Sequence, residues 1–170
     1  MAKGLLLVFL LVSHLFVSHG ARNIAYRALN STRPVDFSSP IRNITIENKC
    51  GYTVWPGIES ISSSNLSTTG FALKKGEARV LEAPSSWEGR FWGRSLCSNK
   101  PTGDFSCATG DCGSQKIECS GAGAKFPATL AVFSFDNSNG QDLYGVSVIN
   151  GYNLPLMVVV SQRPQSGQIC

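Results

Sequence analysis

From residue 41 onward, apolar positions recur at every second residue in short runs, the spacing of strands with one buried face. Ile44 and Ile46 alternate with Asn43, Thr45 and Glu47 and predict a first strand from Ile41. Asn48-Lys49-Cys50-Gly51 then turns the chain into a second strand, Tyr52 to Trp55, ended by Pro56-Gly57. A Ser/Thr-rich loop from Ile61 to Gly70 leads to a strand over Glu77 to Leu81, closed by Ala83 to Ser86. Between Glu88 and Ser95, Arg90, Trp92 and Arg94 alternate against Phe91, which predicts a strand with two guanidinium groups on one face and a tryptophan between them. Gly93 there permits a close backbone approach. Thr129 to Phe135 is apolar on both faces, as expected of a strand inside a sandwich. Asp136 to Gly140 is strong turn sequence, and Asp142 to Asn150 returns as the partner strand. Leu154 to Val160 follows, and the remainder is polar. No long stretch has helical periodicity, no internal repeat is present, and turn signals recur about every 8–12 residues. The expected fold is all-β, an antiparallel β-sandwich.

Ahead of this pattern lies a different segment. A single cation, Lys3, precedes the apolar block Leu5 to Phe16, which is far shorter than the roughly 20 residues a membrane-spanning helix needs. Residues 1–20 read as a secretory signal peptide, with small residues at Ser18 and Gly20 placing the mature start near Ala21. Residues 21–40 are polar and aperiodic and read as a flexible leader or propeptide-like segment; residues 41–170 form the domain. No later run is long and apolar enough to span a membrane. Removal of the leader takes both histidines, His14 and His19, which excludes His-based nucleophile systems and His-ligated zinc. The formal net charge of +4 drops by one with Lys3, and no Lys/Arg stripe accompanies it, so nucleic acid is not an expected partner.

In an oxidising compartment the six cysteines read as a disulfide framework and not as metal ligands. Four of them, Cys97, Cys107, Cys112 and Cys119, share one Gly- and polar-rich stretch with little apolar area to offset the ordering entropy of about 1–2 kcal/mol per residue. Short loops favour Cys97–Cys107 and Cys112–Cys119, each worth roughly 2–3 kcal/mol. Cys50 and Cys170 are left without an assigned pairing.

The block Gly103, Cys107-Ala-Thr-Gly-Asp-Cys-Gly-Ser114 and Cys119 resembles the signature of the thaumatin-like proteins, the plant pathogenesis-related family 5. Asn48 to Trp55, Arg90 to Arg94, Pro127 to Ala131 and Val146 to Pro155 resemble neighbouring segments of that family, so the likeness covers residues 41–170. The resemblance implies an extracellular sandwich of ten or eleven strands with antifungal, glucan-binding or inhibitor activity. It also implies a cleft lined by one arginine, one glutamate and three aspartates. Arg90 stands at the arginine position, but Val132 replaces the glutamate and Gly145 and Asn150 replace two aspartates; the third belongs to a later segment. The resemblance further implies a second cysteine-rich region, and on that comparison the chain reads as a truncated product.

Without those carboxylates an acid–base pair is absent, so no catalytic residue is assigned and no cofactor or metal is expected. Arg90, Trp92 and Arg94 are the candidate ligand-binding residues, against a plainer reading in which they cover the sheet or pair with Glu77, Glu88 or Asp104. Asp104, Asp136 and Asp142 are the nearest alternative carboxylates for a glycosidase, but each sits in turn sequence. Asp111 is expected to fix a turn through local hydrogen bonds. Asn30, Asn43 and Asn65 begin glycosylation sequons. The expected function is that of a secreted, apoplastic, monomeric, non-catalytic plant defence protein. At most it binds β-glucan or cell wall weakly. The alternatives are a hydrolase inhibitor or receptor-ectodomain-like module that binds a secreted protein, a weak endo-β-1,3-glucanase, and a truncated isoform without independent activity.

Overall fold

A computed structural model describes residues 41–136, 140–160 and 165–169. The segments expected as signal peptide (1–20) and leader (21–40), with Asn30, and Cys170 all lie outside the described residues. Nine strands occur among the described residues, where the resemblance implied ten or eleven: β1 (Ile41–Asn48), β2 (Trp55–Ser60), β3 (Ala78–Pro84), β4 (Glu88–Asn99), β5 (Phe105–Thr109), β6 (Leu130–Ser134), β7 (Leu143–Ser147), β8 (Leu156–Val159) and β9 (Gln165–Ile169). They form two sheets, one ordered β3-β1-β9-β8 and the other β2-β4-β6-β7 with β5 paired to β4. Every pairing is antiparallel except β1 with β9, which is parallel. No helix among the described residues is long and apolar enough to cross a membrane.

The alternation in β1 is realised as written: Ile44 and Ile46 are buried and Asn43 is exposed. Asn48 ends the strand fully buried. Its side chain donates to the carbonyls of Tyr52 (2.8 Å) and Leu73 (2.9 Å) and accepts from the Cys50 N–H (2.9 Å). A buried amide so satisfied fixes the turn that follows it.

Between the sheets lies a core built around Trp87, Phe91, Phe133 and Phe135. Phe91 and Phe133 meet edge to face at 5.5 Å, and Trp87 packs on Phe91 at 5.4 Å, within the spacing aromatic pairs prefer. On the opposite face of β4 and β6 a second cluster buries Trp92, Leu130, Ala128, Cys112 and Cys119. This explains why β6 reads as apolar on both faces.

Three boundaries depart from the sequence expectation. β2 does not end at Pro56-Gly57 but runs through them to Ser60, pairing Pro56 with Gly93 and Gly57 with Trp92. A proline is tolerated because β2 is the edge of its sheet; at that position its carbonyl accepts from Phe71 N (3.3 Å). β4 continues beyond Ser95 to Asn99 and forms a hairpin with β5. The polar tail contains β9, inserted between β1 and β8. Its only large apolar residue, Ile169, is buried, so backbone pairing on both sides carries this strand and periodicity gives no sign of it.

Candidate functional site

β4 supplies the candidate residues, and its pleat puts Arg90, Trp92 and Arg94 on one face, turned away from the aromatic core. At Arg90 a straight row crosses the sheet, Glu59–Arg90–Val132–Gly145, one residue from each of β2, β4, β6 and β7. Arg90 Nε lies 2.7 Å from Glu59 Oε2, both side chains partly exposed. The partner is therefore Glu59 and not Glu77, Glu88 or Asp104. Beside the pair, Val132 is 37% exposed and opens onto a shallow cavity of about 350 Å³ lined also by Ile61, Glu88, Leu143 and Gly145. The row thus offers one neutralised ion pair and an apolar floor, with no carboxylate at Val132 or Gly145.

Trp92 and Arg94 do not reach the surface; both are fully buried. The Trp92 indole N–H donates to the Gly110 carbonyl (2.7 Å). Gly110 has φ +67, and a Cβ there would stand 2.8 Å from the Gly93 carbonyl oxygen, so the close approach needs glycine on this side. Arg94 donates to the carbonyls of Trp55 (2.9 Å), Pro56 (3.1 Å) and Ile117 (2.6 Å). Its guanidinium also lies 5.5 Å from the centre of the Phe105 ring. Burial pulls its pKa well below the usual guanidinium range, to about 10, against the opposing pull of Asp111 and Glu118. It remains charged at neutral pH and works as a strut between the edge strand and the cysteine block.

That block is the cover over Trp92. Cys97 and Cys107 face each other across the β4–β5 hairpin with Cα atoms 3.9 Å apart and are joined, as are Cys112 and Cys119. Cys50 is also in a disulfide. The Asp111 carboxylate accepts from Cys107 N (2.8 Å) and Gly113 N (2.6 Å), the local turn the sequence suggested. Glu118 ties the block to the loop before β3 by accepting from Thr68 Oγ1 (2.8 Å), Thr69 Oγ1 (2.8 Å) and Thr69 N (2.7 Å). Burial would raise its pKa, but these hydrogen bonds outweigh it and hold the carboxyl below its ordinary 4.5.

Two of the other candidate carboxylates are occupied in separate places. Asp142 pairs with Arg42 at 2.9 Å, with both side chains nearly buried, and accepts from Asp136 N. Asp104 accepts from the Thr102 hydroxyl. Among the described residues no three His, Cys, Asp or Glu side chains converge as metal ligands would. Asn43 and Asn65 are both exposed, Asn43 on the outer face of β1. The residue missed from the sequence is Glu59. Ending β2 at Pro56-Gly57 put it outside the sheet, and only the continued alternation of Ile58, Glu59 and Ser60 would have pointed to it.

The family model for the Thaumatin family matches residues 48–170. The chain is 56% identical over 168 residues to a PR5-like receptor kinase of Arabidopsis thaliana, a match covering 98% of this chain and 22% of that protein. It is 46% identical over 125 residues to a protein of Prunus avium named glucan endo-1,3-beta-glucosidase, covering 73% of this chain and 49% of the relative. The chain therefore spans under a quarter of the first relative and about half of the second. Among solved structures, that of a thaumatin-like xylanase inhibitor is similar at 27% identity and a TM-score of 0.59, covering 75% of this chain and 98% of that one. With this fold, this cysteine block and these matches, the chain belongs to the thaumatin family.

Proposed function

We propose that this is a non-catalytic, secreted recognition domain of the plant extracellular space, of the defence-related kind, with weak β-glucan binding at most. The observation that carries the reading is the row Glu59–Arg90–Val132–Gly145. Glycoside hydrolysis needs two carboxyl groups about 5–10 Å apart across the scissile bond. The row has a single carboxylate, and that one is paired with Arg90 at 2.7 Å, so Glu88, which lines the cavity, has no free second carboxyl in the row to work with. Of the other candidates, the Asp104 carboxylate is engaged by Thr102 and that of Asp142 by Arg42 and the Asp136 N–H, while Asp136 lies in its turn sequence with no second carboxylate of the row beside it. The test is reducing-sugar release from soluble β-1,3-glucan by the purified protein at high concentration. None is expected; release that disappears in Asp104→Asn or Asp142→Asn would establish the enzyme reading instead.

Within that reading, a protein partner is favoured over a glucan on this face. The cavity at Val132 is lined mainly by apolar groups, and Leu143 beside it is about half exposed; central apolar patches of this kind suit protein contacts. The names of two similar proteins, a receptor kinase and a xylanase inhibitor, fit a hydrolase-inhibitor or receptor-ectodomain-like role. Co-purification of a secreted protein that is lost in Val132→Glu supports this. Retention on insoluble β-1,3-glucan that survives high salt counts against it.

A further inference from the structure

The cysteine block holds a second opening that shares no lining residue with the cavity at Val132. It encloses about 530 Å³, within the ~300–1,000 Å³ typical of small-ligand sites. One wall is the backbone of β5 and the turn through Gly110 and Gly113; the other is Lys125-Phe126-Pro127. Lys125 N donates to the Asp111 carbonyl at 2.7 Å, which fastens the two walls together. The Cys97–Cys107 bridge and the two N–H bonds to Asp111 hold the first wall. A site fixed before binding loses little entropy when it is filled.

Its chemistry is specific. Phe126 stands at the rim 55% exposed, a flat apolar surface of the kind on which the C–H face of a sugar ring stacks. Gln115 and Ser106 line the polar part and present groups able to hydrogen-bond hydroxyls. Two lysines, Lys100 and Lys125, are set against one carboxylate, Asp111. Both oxygens of that carboxylate already accept backbone N–H groups, and Lys125 Nζ lies 3.6 Å from Oδ1. Toward an incoming group the lysines therefore dominate.

We propose that this opening is a subsite for an acidic glycan, a polysaccharide segment carrying uronate groups, with a sugar ring on Phe126 and a carboxylate between Lys100 and Lys125. The proposal concerns a surface separate from the Val132 face and goes beyond the recognition role assigned there.

The test is calorimetric titration of the purified protein with oligogalacturonides, at low and high salt. Saturable binding weakened by salt is expected. Lys100→Gln/Lys125→Gln should weaken it about tenfold or more, and Phe126→Ala should weaken it with the charges intact. All three side chains are exposed, so the variants should fold, and circular dichroism checks that they do. The control is Lys74→Gln/Lys75→Gln, which removes the same charge from exposed sites elsewhere. Equal weakening by the control would mean general charge attraction and would overturn the site. Equal affinity for neutral β-1,3-glucan oligomers would overturn the uronate assignment, and equal affinity for an oligoglutamate peptide would overturn the glycan class. Absence of any binding would overturn the proposal while leaving the non-catalytic reading, which rests on sugar release, untouched.

Discussion

Replacing Arg94 with methionine keeps most of the aliphatic stem and removes the guanidinium that links β2 to the cysteine block. Three donated hydrogen bonds disappear, to Trp55, Pro56 and Ile117. Hydrogen bonds from a charged donor contribute roughly 1.5–3 kcal/mol each, so the gross loss is about 5–9 kcal/mol. Part is recovered, because a charge no longer has to be buried. Burial holds the Arg94 pKa down at about 10, a depression worth on the order of 3 kcal/mol. The Pro56 carbonyl also keeps its bond from Phe71 N. The net expectation is a destabilisation of about 2–5 kcal/mol, read as a lower urea midpoint with an unchanged slope. Tryptophan fluorescence suits the assay because Trp92 lies under the same block. Arg94→Lys should fall between the two, since one ammonium cannot span carbonyls on both elements as a planar fork does. If Arg94→Met unfolds within about 1 kcal/mol of the parent, Arg94 is not a strut and the block is held by its disulfides and Glu118 alone.

Arg42→Met strips the counter-charge from Asp142, whose side chain is 3% exposed. Breaking a buried pair from one side costs about 3–5 kcal/mol, measurable in the same urea titration, whereas a loss under about 1 kcal/mol would mean the pair is effectively solvated. Gly110→Ala forces a Cβ toward the Gly93 carbonyl at a positive φ and should cost about 1–3 kcal/mol; a neutral outcome would show that the turn can relax. Glu118 is held below its ordinary 4.5 in the folded state, so its contribution is complete above that value and is lost as pH falls through the lowered one. Comparing parent with Glu118→Gln, the stability gap should be present at neutral pH and close on acidification; a gap independent of pH would contradict the assignment.

What could be read from the sequence was decided by how far apart the interacting residues lie. Ile44 and Ile46 declare β1 because the alternation is local, and Asp111 declares its turn because its partners, Cys107 and Gly113, are four and two residues away. The shared face of Arg90, Trp92 and Arg94 was equally legible from the period of two. What covers that face was not, since Gly110 and Ile117, which meet Trp92 and Arg94, come from a hairpin and loop whose path depends on the fold. The resemblance drew attention to Arg90, Val132 and Gly145, and the register shows that they lie side by side. In β7, Tyr144 and Val146 share the core-side face with Phe133 and Ala131. They are only half covered, because β7 is the edge of its sheet, a fact of topology to which alternation is blind.

The parallel pairing of β9 with β1 sets an order of events in time. β1 can zip to β3 as soon as Pro84 has been made, but its other edge stays open until Gln165 to Ile169 have left the ribosome. Throughout that interval the nascent domain presents one open edge of the strand holding Ile44 and Ile46, the kind of edge that seeks partners on other chains. Pairings between such distant segments also form slowly. Completion of this sheet therefore waits on β9, and the yield of folded domain should respond to chaperones that cover the open edge in the meantime.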